Sequence, residues 1–282
     1  MQHLRSAVHW QGPLRLRGKI VTGRALVTGG AKRLGRAMVL YLAQRGYEVA
    51  VHFAASRDAA EATAAEARAL GVNAATLRAD LLVEAQTREL VANAAKALGG
   101  PLTLLVNNAS IFEYDNIRSA TRQSWDRAIE SNLRAPVALT QDFAAQAPRA
   151  TGTGGGMSAH ALVVNMLDQR VRKLTPEFMS YTVAKMGLWA FTQTAARALG
   201  PDIRVNAIGP GSTLQGASQS EEQFRAQRAA TVLRRGANPG DITAALGYFI
   251  DAQTVTGQLL CVDGGQHLGW KTPDILGGQN AR

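Results

Sequence analysis

Short apolar segments alternate with longer amphipathic segments along most of the chain. The short segments have the length and apolar content of buried strands. The predicted strands cover residues 25–28, 47–53, 72–78, 102–106, 161–166, 203–208 and 258–262. The longer segments favour helices, and several end at a glycine, which commonly terminates a helix. The predicted helices cover residues 34–45, 58–70, 84–98, 121–147, 181–199, 221–231 and 240–250. Strands that alternate with helices form parallel β-α-β units, so the pattern predicts an α/β fold, a doubly wound Rossmann domain.

The alternation continues without a linker or a break in composition from residue 24 to residue 270, which indicates one domain. Residues 1–23 show no sustained periodicity and contain several glycines and a proline, so we expect a flexible basic extension. Residues 271–282 are expected to form a C-terminal tail. The glycine-rich segment 151–156 precedes no helix and is predicted to be a surface loop.

Composition narrows the classes to which the protein can belong. The 282 residues are 46% hydrophobic and 18% charged, an ordinary mixture for a globular protein. Cys261 is the single cysteine, so an internal disulfide and a multi-cysteine metal site are excluded, and a reducing compartment is favoured. No apolar run approaches the roughly 20 residues of a membrane span, and the N-terminus lacks the pattern of a secretory signal. We therefore expect a cytoplasmic enzyme with no membrane partner and no metal.

The charge balance favours an anionic ligand over nucleic acid. Lysine and arginine number 31 against 21 acidic residues, which gives a net charge of +10. Five basic residues and no acidic residue lie within residues 1–24, so half of the excess belongs to the predicted extension. The other basic residues form no dense run and no interleaved aromatic ladder, so we expect no nucleic-acid partner.

Residues 28–35, with the sequence Thr-Gly-Gly-Ala-Lys-Arg-Leu-Gly, connect the first predicted strand to the first predicted helix. Glycines at such a connection allow a tight turn and a close approach of the backbone to a ligand. The helix that follows offers free N–H groups and the positive end of its dipole. This arrangement predicts a site for the pyrophosphate of a dinucleotide.

The end of the second predicted strand distinguishes NAD from NADP. An NAD site places an Asp or Glu there to bind the ribose 2′-hydroxyl. The first acidic residue after this strand is Asp58, whereas Ser56, Arg57 and Arg33 are available for a 2′-phosphate. The sequence therefore predicts NADPH as the cofactor.

Motifs along the chain resemble, in their order and spacing, the short-chain dehydrogenase/reductase family over about residues 24–265. They are Thr28-Gly29 with Gly35, Asp80, Asn107-Asn108-Ala109, Asn132, Tyr181 with Lys185, and Pro210-Gly211. The resemblance implies a seven-stranded parallel sheet with three helices on each face. It also implies hydride transfer with a nicotinamide cofactor, a substrate lid at about residues 212–235, and a homotetramer.

Two departures from the family pattern resemble the pteridine reductases and the related dihydromonapterin and dihydrofolate reductases. Arg33 replaces the middle glycine of the first motif, and Asp168 stands 13 residues before Tyr181, where the family has its catalytic serine. Further matches to this subgroup are Lys32, Leu34, His52, Ser56, Ser110, Phe112 and Asn165. Ala55 stands where the subgroup has an arginine, for which Arg57 is the candidate substitute. The resemblance implies a pterin or folate substrate.

Tyr181 and Lys185 are four residues apart and therefore share one face of the predicted helix. A tyrosine normally titrates near pH 10, and a nearby ammonium favours the phenolate. We therefore expect Lys185 to lower the pKa of Tyr181 and to make it a working acid near neutral pH. The resemblance further implies that Lys185 holds the nicotinamide ribose and that Asn132 holds a water molecule in a proton relay.

Asp168 bears on the class of substrate. Reduction of a ketone builds negative charge on oxygen, which a serine hydroxyl stabilises and an ionised carboxylate opposes. A pterin instead presents N–H donors and reducible C=N bonds, so Asp168 favours a pterin. The resemblance implies that Phe112 stacks on the pterin ring, and that Arg33 and Ser110 each reach both a cofactor phosphate and the pterin edge.

Together these arguments and the resemblance predict three overlapping sets of residues. The cofactor set is Gly29, Lys32, Arg33, Leu34, Gly35, His52, Ser56, Arg57, Asp80, Leu81, Asn108, Ala109, Ser110, Tyr181, Lys185, Pro210, Gly211 and Thr213. The substrate set is Arg33, Ser110, Phe112, Asp168 and Tyr181, and the catalytic set is Asp168, Tyr181, Lys185 and Asn132. The alternatives are a carbonyl or 3-oxoacyl reductase of the same family and a non-catalytic protein that senses NADP(H).

Overall fold

Seven parallel strands form one sheet, which confirms the α/β fold predicted from the alternation of segments. The computed structural model describes residues 22–153, 155–216 and 219–270. The strands in these ranges are β1 (Gly23–Val27), β2 (Tyr47–Phe53), β3 (Ala74–Arg78), β4 (Leu104–Asn107), β5 (Thr151–Thr153), β6 (Gly156–Ser158), β7 (Ala161–Met166), β8 (Ile203–Pro210) and β9 (Leu259–Val262). β5 and β6 pair with each other as a separate hairpin.

The helices connect successive strands and cover both faces of the sheet. They are α1 (Arg33–Gln44), α2 (Arg57–Ala69), α3 (Glu84–Ala97), α4 (Arg122–Ile129), α5 (Ala135–Gln146), α6 (Met179–Leu199), α7 (Glu221–Ala229) and α8 (Pro239–Asp251). The strand order is β3-β2-β1-β4-β7-β8-β9, so the winding of the chain reverses between β1 and β4. The carboxyl ends of these two strands flank the crevice in which such folds bind ligands.

Apolar side chains on the two faces of the sheet pack into two cores. On one face, Ala25 and Val27 of β1 pack with residues of α1, α2 and α8. On the other face, Leu26 packs with residues of α3, α5 and α6. Because Ala25, Leu26 and Val27 are buried on alternate faces of the sheet, this part of β1 is apolar without polar alternation.

Most predicted boundaries lie within two residues of the observed ones, and β2 and β7 match the predicted segments 47–53 and 161–166. The helical stretches predicted at about 121–147 are α4 and α5, which are joined by a π-helical turn at Glu130–Arg134. A single π-turn inserted in a helix is frequently found at functional sites. This turn carries Asn132 toward the carboxyl edge of the sheet.

The segment 151–156 lies at the surface as predicted, but it is not a loop, because β5 and β6 form an antiparallel hairpin there. Backbone pairing between Thr151 and Ser158 requires no apolar pattern, so the composition of the segment did not indicate it. Gly156 has a φ of 145°, which permits the tight reversal. The predicted C-terminal tail lies outside the described residues, and so do residues 1–21 of the predicted extension. Gly23, the last residue of that extension, belongs to β1.

Candidate active site

The turn between β1 and α1 is held in shape by its own glycines. Gly29 has a φ of 62°, a conformation that side-chain-bearing residues rarely adopt. A Cβ on Gly35 would lie 2.0 Å from the carbonyl oxygen of Gly29, so only glycine allows the helix to approach the turn. The spacing of the glycines in the sequence is thus explained by close packing of α1 on the turn.

Side chains from β1, β2 and the segment after β4 fix the same turn. The Thr28 hydroxyl accepts hydrogen bonds from the backbone N–H groups of Asn108 and Ala109, at 2.8 and 2.9 Å. His52 Nδ1 accepts from the Gly29 N–H at 3.0 Å, and Nε2 lies 3.0 Å from the Ala79 carbonyl. Burial lowers the pKa of His52, which keeps the ring neutral. His52 therefore supports the turn with both ring nitrogens.

The N-terminus of α1 offers unpaired N–H groups to an anion. Its N-cap, Lys32, forms no side-chain cap, and no acidic residue lies in the first helical turn. A cleft of about 480 Å³ opens in front of it. The lining comprises eleven residues predicted for the cofactor, Gly29, Lys32, Arg33, Leu34, Gly35, His52, Asn108, Ala109, Ser110, Gly211 and Thr213, together with Ala54, Ser212 and Leu214. This donor set, with a lysine and a positive helix end, fits the pyrophosphate of a dinucleotide.

Several predicted cofactor residues lie elsewhere. Asp80 lines an adjoining cleft of about 440 Å³ and not the main one. Leu81 is buried in the core, and Pro210 ends β8. Ser56 and Arg57 form the N-cap and first residue of α2 and line neither cleft.

Arg33 connects the turn to the predicted lid. Its guanidinium donates hydrogen bonds to the backbone carbonyls of Gln215 at 3.0 Å and Leu214 at 3.3 Å. Its φ is 53°, an unusual value for a residue with a side chain. The predicted contacts of Arg33 with a phosphate and a pterin stay predictions, since the guanidinium here engages the lid backbone.

Asp168, Tyr181 and Lys185 meet below the carboxyl edge of the sheet. Tyr181 and Lys185 lie on the first two turns of α6, and Asp168 follows β7. The Tyr181 hydroxyl donates to Asp168 Oδ2 at 3.2 Å, and the Lys185 ammonium donates to the Met166 carbonyl at 2.8 Å. Tyr181 is 6% exposed and Lys185 is 2% exposed. Asp168 and Tyr181 are 13 residues apart in sequence, and the fold brings the carboxyl and the phenol into direct contact.

The expected lowering of the pKa of Tyr181 is wrong for this arrangement. Burial, followed by the neighbouring Asp168 carboxylate, raises the pKa of Tyr181 well above its ordinary value. Burial lowers the pKa of Lys185 to about 8, against the opposing effect of Asp168. Burial also raises the pKa of Asp168, although the Arg170 N–H and guanidinium oppose the shift. Tyr181 therefore remains a phenol near neutral pH.

Asn132 uses its side chain to hold the segment after β4. Its amide NH₂ donates to the carbonyls of Ile111 at 2.9 Å and Ala128 at 3.0 Å. Its carbonyl oxygen accepts from the Ser110 hydroxyl at 2.6 Å. Asn132 thus positions Ser110, and its place in a proton relay stays a prediction.

Aromatic rings form a wall beside Tyr181. Phe112 is 52% exposed and stacks on Phe178, with ring centroids 4.2 Å apart and planes inclined by 6°. Phe112 also meets the Tyr181 ring edge-on at 4.8 Å. The Arg170 guanidinium lies 4.9 Å from the Phe178 ring. Phe178 and Arg170 were missed from the sequence, although each lies within three residues of a predicted catalytic residue.

A buried carboxylate caps the helix that carries Tyr181. Asp115 is 3% exposed and accepts hydrogen bonds from the Ser180 N–H at 3.0 Å and the Ser180 hydroxyl at 2.5 Å. Asp115 lies in the same segment as Phe112, so it ties the aromatic wall to α6. No local signal identified it, because the two partners are 65 residues apart.

The described part of the chain offers neither a membrane-spanning helix nor a cluster of metal ligands. None of its helices combines the length and apolarity that crossing a membrane requires. Within the same residues, no three His, Cys, Asp or Glu side chains lie close enough together to hold a metal ion.

Proteins of known sequence match most of this chain. A family model described as enoyl-(acyl carrier protein) reductase matches residues 29–267. The 3-oxoacyl-[acyl-carrier-protein] reductase FabG of Staphylococcus epidermidis is 29% identical over 249 residues, which cover 86% of this chain and 98% of that protein. The putative ketoacyl reductase 2 of granaticin polyketide synthase from Streptomyces violaceoruber is 33% identical over 251 residues, or 86% of this chain and 96% of that protein.

Solved structures match the fold closely. FolM alternative dihydrofolate reductase 1 from Brucella canis, crystallised in complex with NADP, is 42% identical with a TM-score of 0.82. The match covers 90% of this chain and 98% of that one. The angucycline C-6 ketoreductase LanV with bound NADP is 28% identical with a TM-score of 0.79, over 89% of this chain and 98% of that one.

Proposed function

The chain belongs to the enoyl-(acyl carrier protein) reductase family of short-chain dehydrogenases/reductases, and we propose that it reduces a pterin-type substrate with NADPH. The substrate class comprises a dihydropterin, dihydromonapterin or dihydrofolate. FolM and LanV, both similar to this chain, were crystallised with NADP, and β2 ends without the carboxylate that NAD would favour. When bound in the cleft, such a cofactor would supply a hydride.

The contact between Asp168 and Tyr181 carries the pterin proposal. A carboxylate at this point accepts hydrogen bonds from substrate N–H groups, which a pterin has and a simple ketone lacks. An ionised Asp168 about 4 Å from a developing oxyanion would raise its energy by about 4 kcal/mol at an effective dielectric of ~20. That penalty corresponds to roughly three powers of ten in rate. The 42% identity to FolM, whose name describes a dihydrofolate reductase, supports the same substrate class.

Side chains of the site would donate the proton and orient the substrate ring. Tyr181, kept protonated by its raised pKa, has a hydroxyl proton to give to a substrate nitrogen. Asp168 accepts N–H groups and orients the ring. Phe112 is half exposed beside Tyr181 and would pack against a flat substrate ring, which fixes the orientation of that ring. Lys185 adds positive charge at the base of the same site.

The proposal is tested by the substrate range of the enzyme and of Asp168→Ala. The loss of NADPH absorbance would be followed with biopterin, dihydrobiopterin, dihydromonapterin, dihydrofolate and one 3-oxoacyl ester. We expect turnover on at least one pterin and none on the ester. Asp168→Ala should abolish pterin reduction and keep NADPH affinity within about threefold, a change below 1 kcal/mol.

Asp126→Ala is the matched control, because Asp126 is an exposed carboxylate on α4 paired with Arg122. It should leave turnover unchanged. Survival of pterin reduction in Asp168→Ala would contradict the role given to this carboxylate. Tight NADPH binding with no turnover on any substrate would instead favour a cofactor-sensing protein.

A carbonyl or 3-oxoacyl reductase is the second candidate, and the raised pKa of Asp168 favours it. A protonated Asp168 would donate a hydrogen bond to a carbonyl oxygen, as the family's serine does. The relatives named as 3-oxoacyl reductases and ketoreductases support the same chemistry. Turnover on the ester alone, increased by Asp168→Ser, would establish this candidate.

We also propose the homotetramer and the cytoplasmic location that the resemblance and the composition predict. Exposed apolar side chains on α4 and α6, Trp125, Val183 and Met186, are consistent with faces covered by other subunits. Light scattering of the purified protein measures the assembly, and a monomer would contradict it.

A further inference from the structure

The two clefts of the cofactor site adjoin at the end of β2. Ala54 lines both the main cleft beside the glycine turn and the adjoining cleft of about 440 Å³. In a dinucleotide-binding fold of this type, the adenosine ribose lies at the end of this strand. Ala54 and Ala55 occupy that position here and carry no charge, so β2 itself offers no cation to a 2′-phosphate.

The neighbouring strand places an arginine beside this position. Arg78 is the last residue of β3 and pairs in register with Phe53, the last residue of β2. Its side chain is exposed, and its Nε donates to the Ala54 carbonyl at 3.3 Å. Arg78 therefore reaches across the strand boundary to the end of β2, where it lines the adjoining cleft.

Arg78 belongs to no ion pair in the described part of the chain. Within residues 22–153, 155–216 and 219–270, no carboxylate lies within 4 Å of its guanidinium, and its terminal nitrogens have no hydrogen-bond partner. A guanidinium held at Nε by a neutral carbonyl keeps its remaining donors for an anion. Such a fork of N–H donors matches a phosphate in a bidentate manner.

Arg57 is the other cation near the end of β2, and its geometry suits the task less well. Its guanidinium lies 5.6 Å over the Phe53 ring, which is a cation–π contact. It lines neither cleft, whereas Arg78 lines one of them. Asp80 lies in the same cleft as Arg78, so without Arg78 the cleft would present a carboxylate and no cation to a phosphate dianion.

We infer that Arg78 binds the 2′-phosphate of the cofactor across the β2–β3 boundary and is the residue that selects NADP(H) over NAD(H). The inference rests on the proposed NADPH cofactor and not on the pterin substrate. The task then falls to a residue of β3, whereas the sequence pattern favoured Ser56, Arg57 and Arg33.

Calorimetric titration of the full chain with NADP⁺ and NAD⁺ tests the inference without any substrate. In Arg78→Gln the NADP⁺ dissociation constant should rise about 10- to 100-fold, the usual effect of losing a charge-assisted hydrogen bond. The NAD⁺ constant should stay within about twofold, which also shows that the variant is folded. Arg78→Lys should recover part of the NADP⁺ affinity, because it restores the charge without the fork.

Two further arginines serve as comparisons. Arg122→Gln, on the exposed surface of α4, should change neither constant. Arg57→Gln should weaken NADP⁺ less than Arg78→Gln does. A native protein that prefers NADP⁺ while Arg78→Gln keeps its affinity would overturn the assignment of Arg78 alone. A native protein that prefers NAD⁺ would overturn the proposed cofactor as well, and equal losses for both dinucleotides would show a structural role only.

Discussion

Replacing Lys185 by methionine tests the electrostatics of the site through the stability of the fold. Burial lowers the pKa of Lys185 from 10.5 to about 8. One pKa unit corresponds to about 1.4 kcal/mol, so keeping this ammonium charged in the folded protein costs about 3 kcal/mol at neutral pH. The hydrogen bond from Lys185 to the Met166 carbonyl opposes that cost, and losing it would destabilise the variant by about 1–3 kcal/mol. Near pH 7, Lys185→Met should therefore be about as stable as the native protein or slightly more stable.

The dependence on pH separates the charge from the hydrogen bond. Between pH 8 and pH 10.5 the unfolded chain binds one proton more than the folded chain, so the native protein gains stability as the pH rises through this window. Methionine binds no proton, so the variant lacks this gain. From about pH 7 to about pH 9.5 the native protein should gain about 2 kcal/mol relative to Lys185→Met.

Urea unfolding of both proteins at the two pH values, at one protein concentration, measures this difference. The exposed Lys96 at the end of α3 provides a control, because Lys96→Met makes the same exchange of side chains outside the buried site. A difference between native and Lys185→Met that does not change with pH would refute the buried-ammonium argument. A change of opposite sign would mean that Lys185 is paired with a carboxylate more strongly than it is desolvated.

Two other variants or reactions test separate parts of the structure. Asp115→Ala removes the acceptor of two Ser180 hydrogen bonds at the start of α6. It should lower the stability of the fold by about 2 kcal/mol, as measured by thermal unfolding. Steady-state kinetics should show a larger loss in kcat than in NADPH affinity. Ser124→Ala is the comparison, because the contact of the Ser124 hydroxyl with Asp115 is long, at 3.4 Å. An equal loss of turnover in both variants would contradict the role given to the Ser180 hydrogen bonds. Burial and then Asp263 raise the pKa of Cys261 to about 11, so its alkylation near pH 8 should be at least about tenfold slower than that of a free peptide thiol by mass spectrometry. A rate equal to the peptide's would contradict the shift.

Local patterns were enough to predict the sheet and most helices. The segments that became β2 and β7 are buried on both faces, and most of their residues are apolar on either face, so neither alternates strictly between apolar and polar positions. Where a local pattern is absent, the prediction failed. The hairpin of β5 and β6 is held by backbone pairing between two short, glycine-containing strands, which requires no apolar pattern.

Some residues of the candidate site belong to local sequence motifs, whereas others meet only in the folded chain. The residues of the glycine turn are close to one another in sequence, and so are Tyr181 and Lys185. Both motifs could therefore be recognised from their spacing. Asp115 and Arg78 act through contacts with residues from other elements, so only the assembled fold reveals them. The pKa of Tyr181 was misjudged for a related reason. The four-residue spacing identified the cation, but the depth of burial and the carboxylate that faces the phenol are tertiary properties.

The substitution of a carboxylate for the family's serine changes what each neighbour can do. With a serine, the lysine is the only charge near the tyrosine, and a phenolate would be favoured. With Asp168 at 3.2 Å, a phenolate would place two negative charges together, so Tyr181 holds its proton and Lys185 becomes the compensating cation. A site with a neutral phenol and an N–H acceptor suits protonation of a ring nitrogen better than stabilisation of an oxyanion. This coupling means that Asp168→Ser should lower the pKa of Tyr181, and with it the upper limb of the pH–rate profile should move to lower pH.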